Sequence, residues 1–423
     1  MSSTAITHSH TGAALSRYRW LVLFACWASF TLTSVDRSTW GPASLFVGDS
    51  LAVPLASLGA FATAYYVGYV ASNACSGFLS DAFGGRIVLT VSLLGAGVAM
   101  MTFGSATSPV VGIAIQAVVG LFAGADYAAG VRLITSWFRP TELGLSLGIF
   151  VTATSIGTAV ANLVVPALIE SSGWRTSYHL FGGISVALAI VLFFTVRPGP
   201  LLGELDDQSG KTKKKPNLVA LLKNRDLLLT CLAGLCGFWG LYGFVTWSNA
   251  LMIKGHGLGS QVTGVVVAIF AISAVAAKPV IGFVSDRFFH GARKKPIIAL
   301  FGMFSVILIL FGTLDTATAF LWAAPFLGVA AYGWSPLIVS LVPRLVPAWV
   351  TGAASGVANA IWQVGSILAP MAVGAVFAAT GSFAAAFITL AAGPALGMVV
   401  MFFVREGRPD APIQTISPEE EQS

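Results

Sequence analysis

Apolar residues occur along this chain in long runs, and short polar segments separate one run from the next. A run of roughly twenty apolar residues is long enough to cross the hydrocarbon core of a bilayer as one α-helix. The pattern therefore predicts twelve transmembrane helices, six before a polar central segment and six after it. The predicted spans are residues 20–45, 55–79, 87–106, 109–137, 143–169, 177–196, 227–252, 261–284, 296–313, 317–342, 351–378 and 383–404.

Two sequence markers indicate that the chain is a duplication. The sequence GFLSD at residues 77–81 returns as GFVSD at residues 282–286, which is 205 positions later. A glycine series recurs with an offset of 208: Gly144, Gly148, Gly157 and Gly173 correspond to Gly352, Gly356, Gly365 and Gly381. So long a period in an apolar chain is typical of membrane proteins built from two similar halves around a shared interior. We therefore expect an all-α integral membrane protein with two pseudo-symmetric six-helix bundles.

The basic residues predict the orientation of the chain, because Lys and Arg accumulate in short cytoplasmic loops. With both termini in the cytoplasm, 18 of the 23 Lys and Arg residues lie in predicted cytoplasmic segments. We attribute the net charge of +6 to this topology and to anionic lipid, not to nucleic-acid binding. The expected location is a cytoplasmic (inner) membrane of a bacterium. The expected parts are a cytoplasmic tail at 1–18, a first bundle at 19–197, a cytoplasmic linker at 198–225, a second bundle at 226–405 and a cytoplasmic tail at 406–423.

The sequence lacks the residue patterns of an enzyme active site. Its five histidines form no metal-ligand motif, and no Ser/His/Asp arrangement is evident. All four cysteines lie within predicted spans, where a thiol usually acts as a small apolar side chain. We therefore expect no enzymatic activity, no cofactor and no bound metal.

Five ionisable residues lie inside the predicted spans: Asp36, Arg37, Asp126, Arg132 and Lys278. A charge at mid-span costs roughly 2.5–3.5 kcal/mol on insertion, so such residues usually face an aqueous cavity or each other. Arg37 either binds a ligand or pairs with Asp36, and Arg132 either binds a ligand or has a structural role. Lys278 either faces a cavity or extends to the cytoplasmic interface. Asp126 either takes up a proton or forms a fixed ion pair.

The signs of these charges favour an anionic substrate. Three cations and two carboxylates leave one positive charge, which one bound carboxylate would neutralise. If an aspartate also binds a proton, the affinity for the anion rises, and the bound anion favours protonation in return. We therefore assign substrate binding to Arg37, Lys278 and Arg132, and proton coupling to Asp36 and Asp126.

Polar and aromatic residues in other spans complete the expected cavity. Tyr69 and Asn73 are one helical turn apart, as are Asn359 and Gln363, so each pair shares a helix face. For each aromatic residue, contact with lipid or the membrane interface is the alternative. The expected substrate contacts are Tyr69, Asn73, Trp239, Asn359, Trp362 and Gln363, and the wider cavity adds Tyr65, Tyr242, Trp247, Tyr332 and Trp334.

The GFLSD segment, followed by Gly84, Gly85 and Arg86, resembles the loop signature of the major facilitator superfamily. Its second copy occurs where the second half of that superfamily carries the signature. The resemblance covers nearly the whole chain and implies alternating access between two six-helix bundles. It also implies a cytoplasmic gate that closes in the outward-open state and consists of Gly77, Asp81, Arg86, Gly282, Asp286 and Arg287.

One group within that superfamily shares the charged motifs of the first half. Asp36 and Arg37, late in the first span, resemble the anion:cation symporters of sugar acids and other organic acids, as does Arg132 in the fourth span. Ala123 departs from that pattern, because many of these symporters have a coupling glutamate at this position. The resemblance then implies that Asp126, one turn further on, substitutes for the glutamate.

A second group resembles the chain around Lys278 and Pro279, because the monocarboxylate and oxalate transporters place a substrate-binding arginine there. Both resemblances imply a secondary active transporter that takes up a small organic carboxylate by proton-coupled symport. The alternatives are an organic-anion exchanger or antiporter, a drug efflux antiporter, and a solute sensor of the same fold that does not transport. The expected partners are a small organic anion, the proton and the lipid bilayer, and the protein is expected to be a monomer.

Overall fold

The structure is a computed structural model that describes residues 5–139, 142–201, 221, 223–289, 291–347 and 350–406. The side chains of residues 5–16 and of Asp81 are outside this description. Most of the predicted linker and nearly all of the predicted carboxyl-terminal tail also lie outside the described residues.

All regular secondary structure in the described residues is helical. The first half consists of α1 (Ala5–Ser50), α2 (Gly59–Phe83), α3 (Gly85–Gly104), α4 (Pro109–Ala123), α5 (Asp126–Trp137), α6 (Leu143–Ser172) and α7 (Trp174–Thr195). The second half consists of α8 (Arg225–His256), α9 (Ser260–Phe288), α10 (Lys294–Phe311), α11 (Ala317–Leu341), α12 (Thr351–Thr380) and α13 (Phe383–Phe403). Short 3-10 helices lie at Leu55–Ser57 and Val342–Arg344.

These helices form the twelve predicted spans, because α4 and α5 together make the single span Pro109–Trp137. Within the described ranges, ten spans are long and apolar enough to cross a membrane by length and composition. The fourth span breaks after α4, where a side chain at Gly124 would lie 2.3 Å from the carbonyl oxygen of Tyr69 on α2. The first helix is longer than the predicted span at 20–45. The predicted fold class is confirmed.

Helix pairing repeats from one half to the other. In the first half, α1 packs on α6, α2 on α4 and α3 on α7. The corresponding pairs in the second half are α8 with α12, α9 with α11, and α10 with α13. The same three pairings in both halves make the two bundles pseudo-symmetric, as the sequence repeat predicts.

The two halves meet mainly where α2 packs on α12, α6 on α9, and α1 on α8. We call the end of the molecule at which α1 starts and α13 finishes the terminal end, and the opposite end the distal end. Near the distal end, a Cβ atom on Gly59 would lie 2.3 Å from the carbonyl oxygen of Pro370 in the other half. A Cβ atom on Gly264 would lie 2.2 Å from the carbonyl oxygen of Asn162. The halves are therefore in direct backbone contact at the distal end.

The terminal halves of α2, α6, α9 and α12 are not packed against each other in this way. Six glycines there have open space where a Cβ would stand, with no described atom within 4 Å: Gly77 on α2, Gly144 and Gly148 on α6, Gly282 on α9, and Gly352 and Gly356 on α12. The exposed rings of Phe78 and Phe283 lie at the same level. The molecule is therefore closed at the distal end and open at the terminal end.

Candidate functional site

Arg37 lies at mid-depth on the face of α1 that meets α8. Its guanidinium carbon is 5.1 Å from the ring centroid of Tyr242, so a cation–π contact joins the two halves. Its Nε is buried and has no hydrogen-bond partner. Arg37 borders a small cavity whose walls come from α1, α2, α4 and α8: Arg37, Trp40, Gly41, Ala62, Tyr65, Tyr66, Gln116, Val245 and Thr246.

Lys278 reaches from α9 across the interface to α6. Its Nζ donates to the carbonyl oxygen of Val151 at 3.3 Å, to Thr154 Oγ1 at 3.3 Å and to Ser155 Oγ at 3.2 Å. The same amino group is 5.1 Å from the ring centroid of Tyr332. The amino group therefore points into the space between the halves and not toward the terminal end.

The electrostatic setting of these two cations differs from that of ordinary structural ion pairs. Within the part of the chain that the structure describes, the ion pairs are Arg19–Glu142, His256–Asp315, Arg293–Asp286 and Arg344–Glu406. Neither Arg37 nor Lys278 has a described carboxylate partner. Two positive charges from opposite halves therefore face the interior, and neither forms an ion pair with a described carboxylate.

Asp36 lies on another side of α1, and Asp126 of α5 contacts that same side. Asp126 is completely buried, and its carboxylate accepts hydrogen bonds from Ser29 Oγ at 2.6 Å and Thr33 Oγ1 at 3.3 Å. Asp36 is 3% exposed, and neither of its carboxylate oxygens has a hydrogen-bond partner. Ser29, Thr33 and Asp36 follow each other at spacings of four and three residues, so they share one face of α1. Arg37 points about 100° away from that face.

Arg132 is half-buried on α5, six residues beyond Asp126 in the direction of the terminal end. This spacing corresponds to about 9 Å along a helix. Its carbonyl oxygen accepts a hydrogen bond from Thr135 Oγ1 at 3.0 Å. Arg132 therefore lies between the buried aspartate and the open end of the molecule.

Asn73 and Asn359 form a second polar contact between the halves. Asn359 Nδ2 on α12 donates to Asn73 Oδ1 on α2 at 2.8 Å, and Asn73 Nδ2 donates to the carbonyl oxygen of Gly124 at 3.2 Å. The 205-residue offset relates Asn73 to Lys278, and the 208-residue offset relates Asn359 to Val151. The contact is therefore the pseudo-symmetric counterpart of the one that Lys278 makes with α6.

The remaining predicted substrate contacts are divided between the interior and the helix packing. Tyr69 is buried, with its ring centroid 6.1 Å from that of Tyr65, which lines the cavity. Trp239 donates to the carbonyl oxygen of Thr389 at 2.9 Å and so packs between α8 and α13. The structure therefore places Tyr69 behind the cavity wall, against Tyr65, and leaves Trp239 in the packing of the second half.

Trp362 and Gln363 also take part in contacts within the second half. Trp362 is 5% exposed and lies against Gly234 on α8, and its ring is 6.3 Å from that of Phe238. Gln363 Oε1 accepts a hydrogen bond from Ser366 on its own helix at 2.8 Å. Neither residue borders the cavity around Arg37.

Sequence reasoning missed several residues that lie beside Arg37 and Lys278. Gln116 is an amide within an apolar run, which is a signal that could have identified it. Thr154 and Ser155 give no such signal, because Ser and Thr in transmembrane helices commonly bond to carbonyl groups of their own helix. Tyr66 and Thr246 likewise give no distinguishing signal, because the spans contain many other Tyr and Thr residues.

The described residues of the predicted gate contact only their own halves. Asp286 pairs with Arg293 at 2.8 Å, and its side chain is 62% exposed. Arg86 donates to the carbonyl oxygen of Phe193 at the end of α7, and Arg287 is exposed. The side chain of Asp81 lies outside the described residues. Open space at the gate glycines agrees with separation of the halves at this end.

The sequence model of the Major Facilitator Superfamily matches residues 26–370. The chain belongs to the Major Facilitator Superfamily. This confirms the resemblance identified from the repeated loop signature.

Relatives of known name cover nearly the same length. The probable galactarate/D-glucarate transporter GudP of Bacillus subtilis (strain 168) is 25% identical, with 92% of each chain covered. The hexuronate transporter of the same organism is 25% identical over 88% of this chain and 91% of its own. The membrane sensor protein UhpC of Salmonella typhimurium is 25% identical over 68% of this chain and 69% of its own.

Solved structures share the fold. A D-xylose-proton symporter superposes with a TM-score of 0.76 at 16% identity and covers 92% of this chain and 98% of that one. An inward-facing, occupied bacterial homologue of the human lysosomal transporter Spinster gives 0.73 at 16% identity, with 92% and 95% covered. The homologues and neighbours belong to a transporter superfamily and not to an enzyme family, which confirms the prediction of a non-enzymatic protein.

Proposed function

We propose that the protein is a secondary active transporter that takes up a small organic carboxylate together with a proton by alternating access. One observation carries the proposal: Arg37 and Lys278 reach the interior from opposite halves, and neither has a described carboxylate partner. A buried charge that no protein group neutralises is costly, and a bound anion removes that cost. An anion held by both halves also joins the two bodies that move past each other.

The printed names of the relatives support this substrate class. They include transporters of galactarate/D-glucarate, hexuronate and, in Cupriavidus necator, sulfoacetate. All of these solutes are small organic anions. Arg37, Lys278, Tyr69 and Asn73 are our proposed substrate contacts, and Arg132 is proposed to attract the anion from the open end.

The distribution of basic residues supports a cytoplasmic position for the terminal end in a bacterial inner membrane. In this orientation the structure is inward-open. We propose that residues 19–197 and 226–405 rock as two bodies within a monomer. The gate residues then meet at the terminal end when the distal end opens.

Asp36 and Asp126 are the proposed proton-coupling groups. Asp36 precedes the substrate cation Arg37 in sequence, and its buried carboxylate has no hydrogen-bond partner. A proton bound there removes a negative charge close to the anion. The anion and the proton therefore favour each other's binding, which is the reciprocal requirement of symport.

Transport in proteoliposomes tests the proposal. Purified protein is reconstituted, and uptake of radiolabelled organic acids is measured with and without an imposed inward proton gradient. We expect saturable uptake of a subset of carboxylates, with accumulation that depends on the gradient. Uptake without any dependence on the gradient would indicate an exchanger, and the absence of carboxylate transport would refute the proposal.

A sensor role is the second candidate, because two relatives are membrane sensor proteins named UhpC. A sensor binds its solute but moves little of it. Binding of a carboxylate to the purified protein without measurable turnover in the same vesicles would favour the sensor.

A further inference from the structure

The three oxygen partners of Lys278 suggest a function for α6 that lies beyond substrate binding. Two of the three are hydroxyl groups, Thr154 Oγ1 at 3.3 Å and Ser155 Oγ at 3.2 Å, and both belong to the opposite half. We propose that Thr154 and Ser155 are the resting partners of Lys278 in the empty carrier and thereby allow the empty carrier to reorient. This inference rests on the proposed transport of an anion.

The reasoning starts from what a carrier must do without substrate. Reorientation passes through a state in which the cavity is closed to water at both ends. A Lys278 amino group without partners would then be a buried, unsolvated charge, which costs several kcal/mol. Hydroxyl oxygens and the carbonyl oxygen of Val151 replace the missing water and lower that cost.

The position of the contact suits this role. Lys278 lies ten residues before the terminal end of α9, or about 15 Å along the helix. The contact thus lies between the packed distal ends of α6 and α9 and their separated terminal ends. A contact near the pivot of two rocking bodies changes least during the movement, so it can persist through the closed state.

The loaded carrier does not need these hydroxyl groups. A bound carboxylate neutralises Lys278 directly, and charge-assisted bonds to a carboxylate are stronger than those to neutral hydroxyls. Thr154 and Ser155 therefore compete with the anion for Lys278. Their loss should slow the return of the empty carrier without slowing the exchange of one anion for another.

The test compares two modes of transport in the double variant Thr154→Val/Ser155→Ala. Net uptake into vesicles without internal substrate requires the empty carrier to return, whereas exchange between equal internal and external substrate does not. We expect net uptake to fall about tenfold or more, which corresponds to the loss of roughly one hydrogen bond to a charged group. Exchange should stay within about twofold of the unmodified protein, with an equal or lower KM because a competitor of the anion has been removed.

Two control variants separate this role from a general structural one. Ser171→Ala removes a hydroxyl of the same helix that bonds to its own backbone at the carbonyl of Ala167, so both modes should be unchanged. Thr154→Ser/Ser155→Thr keeps both hydroxyl groups and should preserve net uptake. Equal loss of both modes in Thr154→Val/Ser155→Ala, or unchanged net uptake, would overturn the inference while the transport proposal stands. A complete absence of transport in the unmodified protein would overturn both.

Discussion

Replacement of Lys278 with alanine should weaken the binding of the substrate anion by roughly 5- to 60-fold. A carboxylate about 4 Å from the amino group gains about 4 kcal/mol at an effective dielectric constant of about 20. On binding, Lys278 gives up hydrogen bonds to Val151, Thr154 and Ser155, and each of these contributes about 0.5–1.5 kcal/mol. Bonds of about 0.5 kcal/mol each leave about 2.5 kcal/mol, and bonds of about 1 kcal/mol each leave about 1 kcal/mol, which sets the expected loss of affinity.

The assay is substrate binding to purified protein, measured by calorimetry or by the concentration dependence of anion exchange in vesicles. Lys254→Ala is the matched control, because Lys254 is an exposed lysine in the last turn of α8 at the distal end. It removes the same charge from the chain and should leave the affinity unchanged. Both variants must be reconstituted in equal amounts, which fluorescence or immunodetection can verify.

Two outcomes would refute the reasoning. An unchanged affinity in Lys278→Ala would mean that the amino group does not contact the substrate and serves only to join α9 to α6. An equal loss in Lys254→Ala would mean that the effect arises from the overall charge and not from the cavity. The expected pattern is a loss confined to the first variant, with partial recovery in Lys278→Arg.

Three other predictions concern coupling and the distal contact. Asp126→Asn should keep anion exchange within about twofold but lose accumulation driven by a proton gradient, because an amide does not bind the proton; full accumulation would remove Asp126 from coupling. Gly264→Ala should lower transport about tenfold or more, because its Cβ would stand 2.2 Å from the carbonyl oxygen of Asn162. Gly183→Ala is the control, because a Cβ there meets open space, and it should leave transport unchanged. Equal transport rates in both variants would contradict the contact between Gly264 and Asn162. Asn249→Ala removes a buried bond to Asn162 Oδ1 at 2.9 Å across the halves and should destabilise the distal contact by about 1–3 kcal/mol; hydrogen exchange at the start of α9 should increase, and an unchanged rate would count against this role.

The fold was accessible from the sequence because its two determinants are visible there. Apolar runs define the spans, and the repeated glycines define the period of the two halves. The break between α4 and α5 could not be predicted from the sequence, and neither could the close approach of Gly124 to Tyr69 on α2 beside it. Contacts between distant segments leave no mark on local hydropathy.

The site was accessible only in part, for a related reason. A charged side chain such as Arg37 or Lys278 in an apolar run must contact water, a ligand or another polar group. It is therefore expected to face the interior of the protein and not the lipid. Trp239 and Gln363 are compatible with many surroundings, and the structure places them in helix packing and in a local hydrogen bond. Residue type thus predicted the interior position of Arg37 and Lys278 better than the positions of the uncharged residues.

In the proposed mechanism, the separation of charges around α1 lets one helix contact both the substrate and the proton. Arg37 faces Tyr242 in the other half, whereas Asp36 lies on the face that carries Ser29 and Thr33. Adjacent positions on a rigid helix keep these two charges at a nearly constant separation, and at roughly 7 Å with an effective dielectric constant of about 20 their interaction is about 2–3 kcal/mol. Neutralisation of Asp36 by a proton therefore alters the potential at the anion site without any movement of the helix. In the proposed symport, this interaction across one helical step couples the proton to the anion, and we expect the proton to bind before the anion.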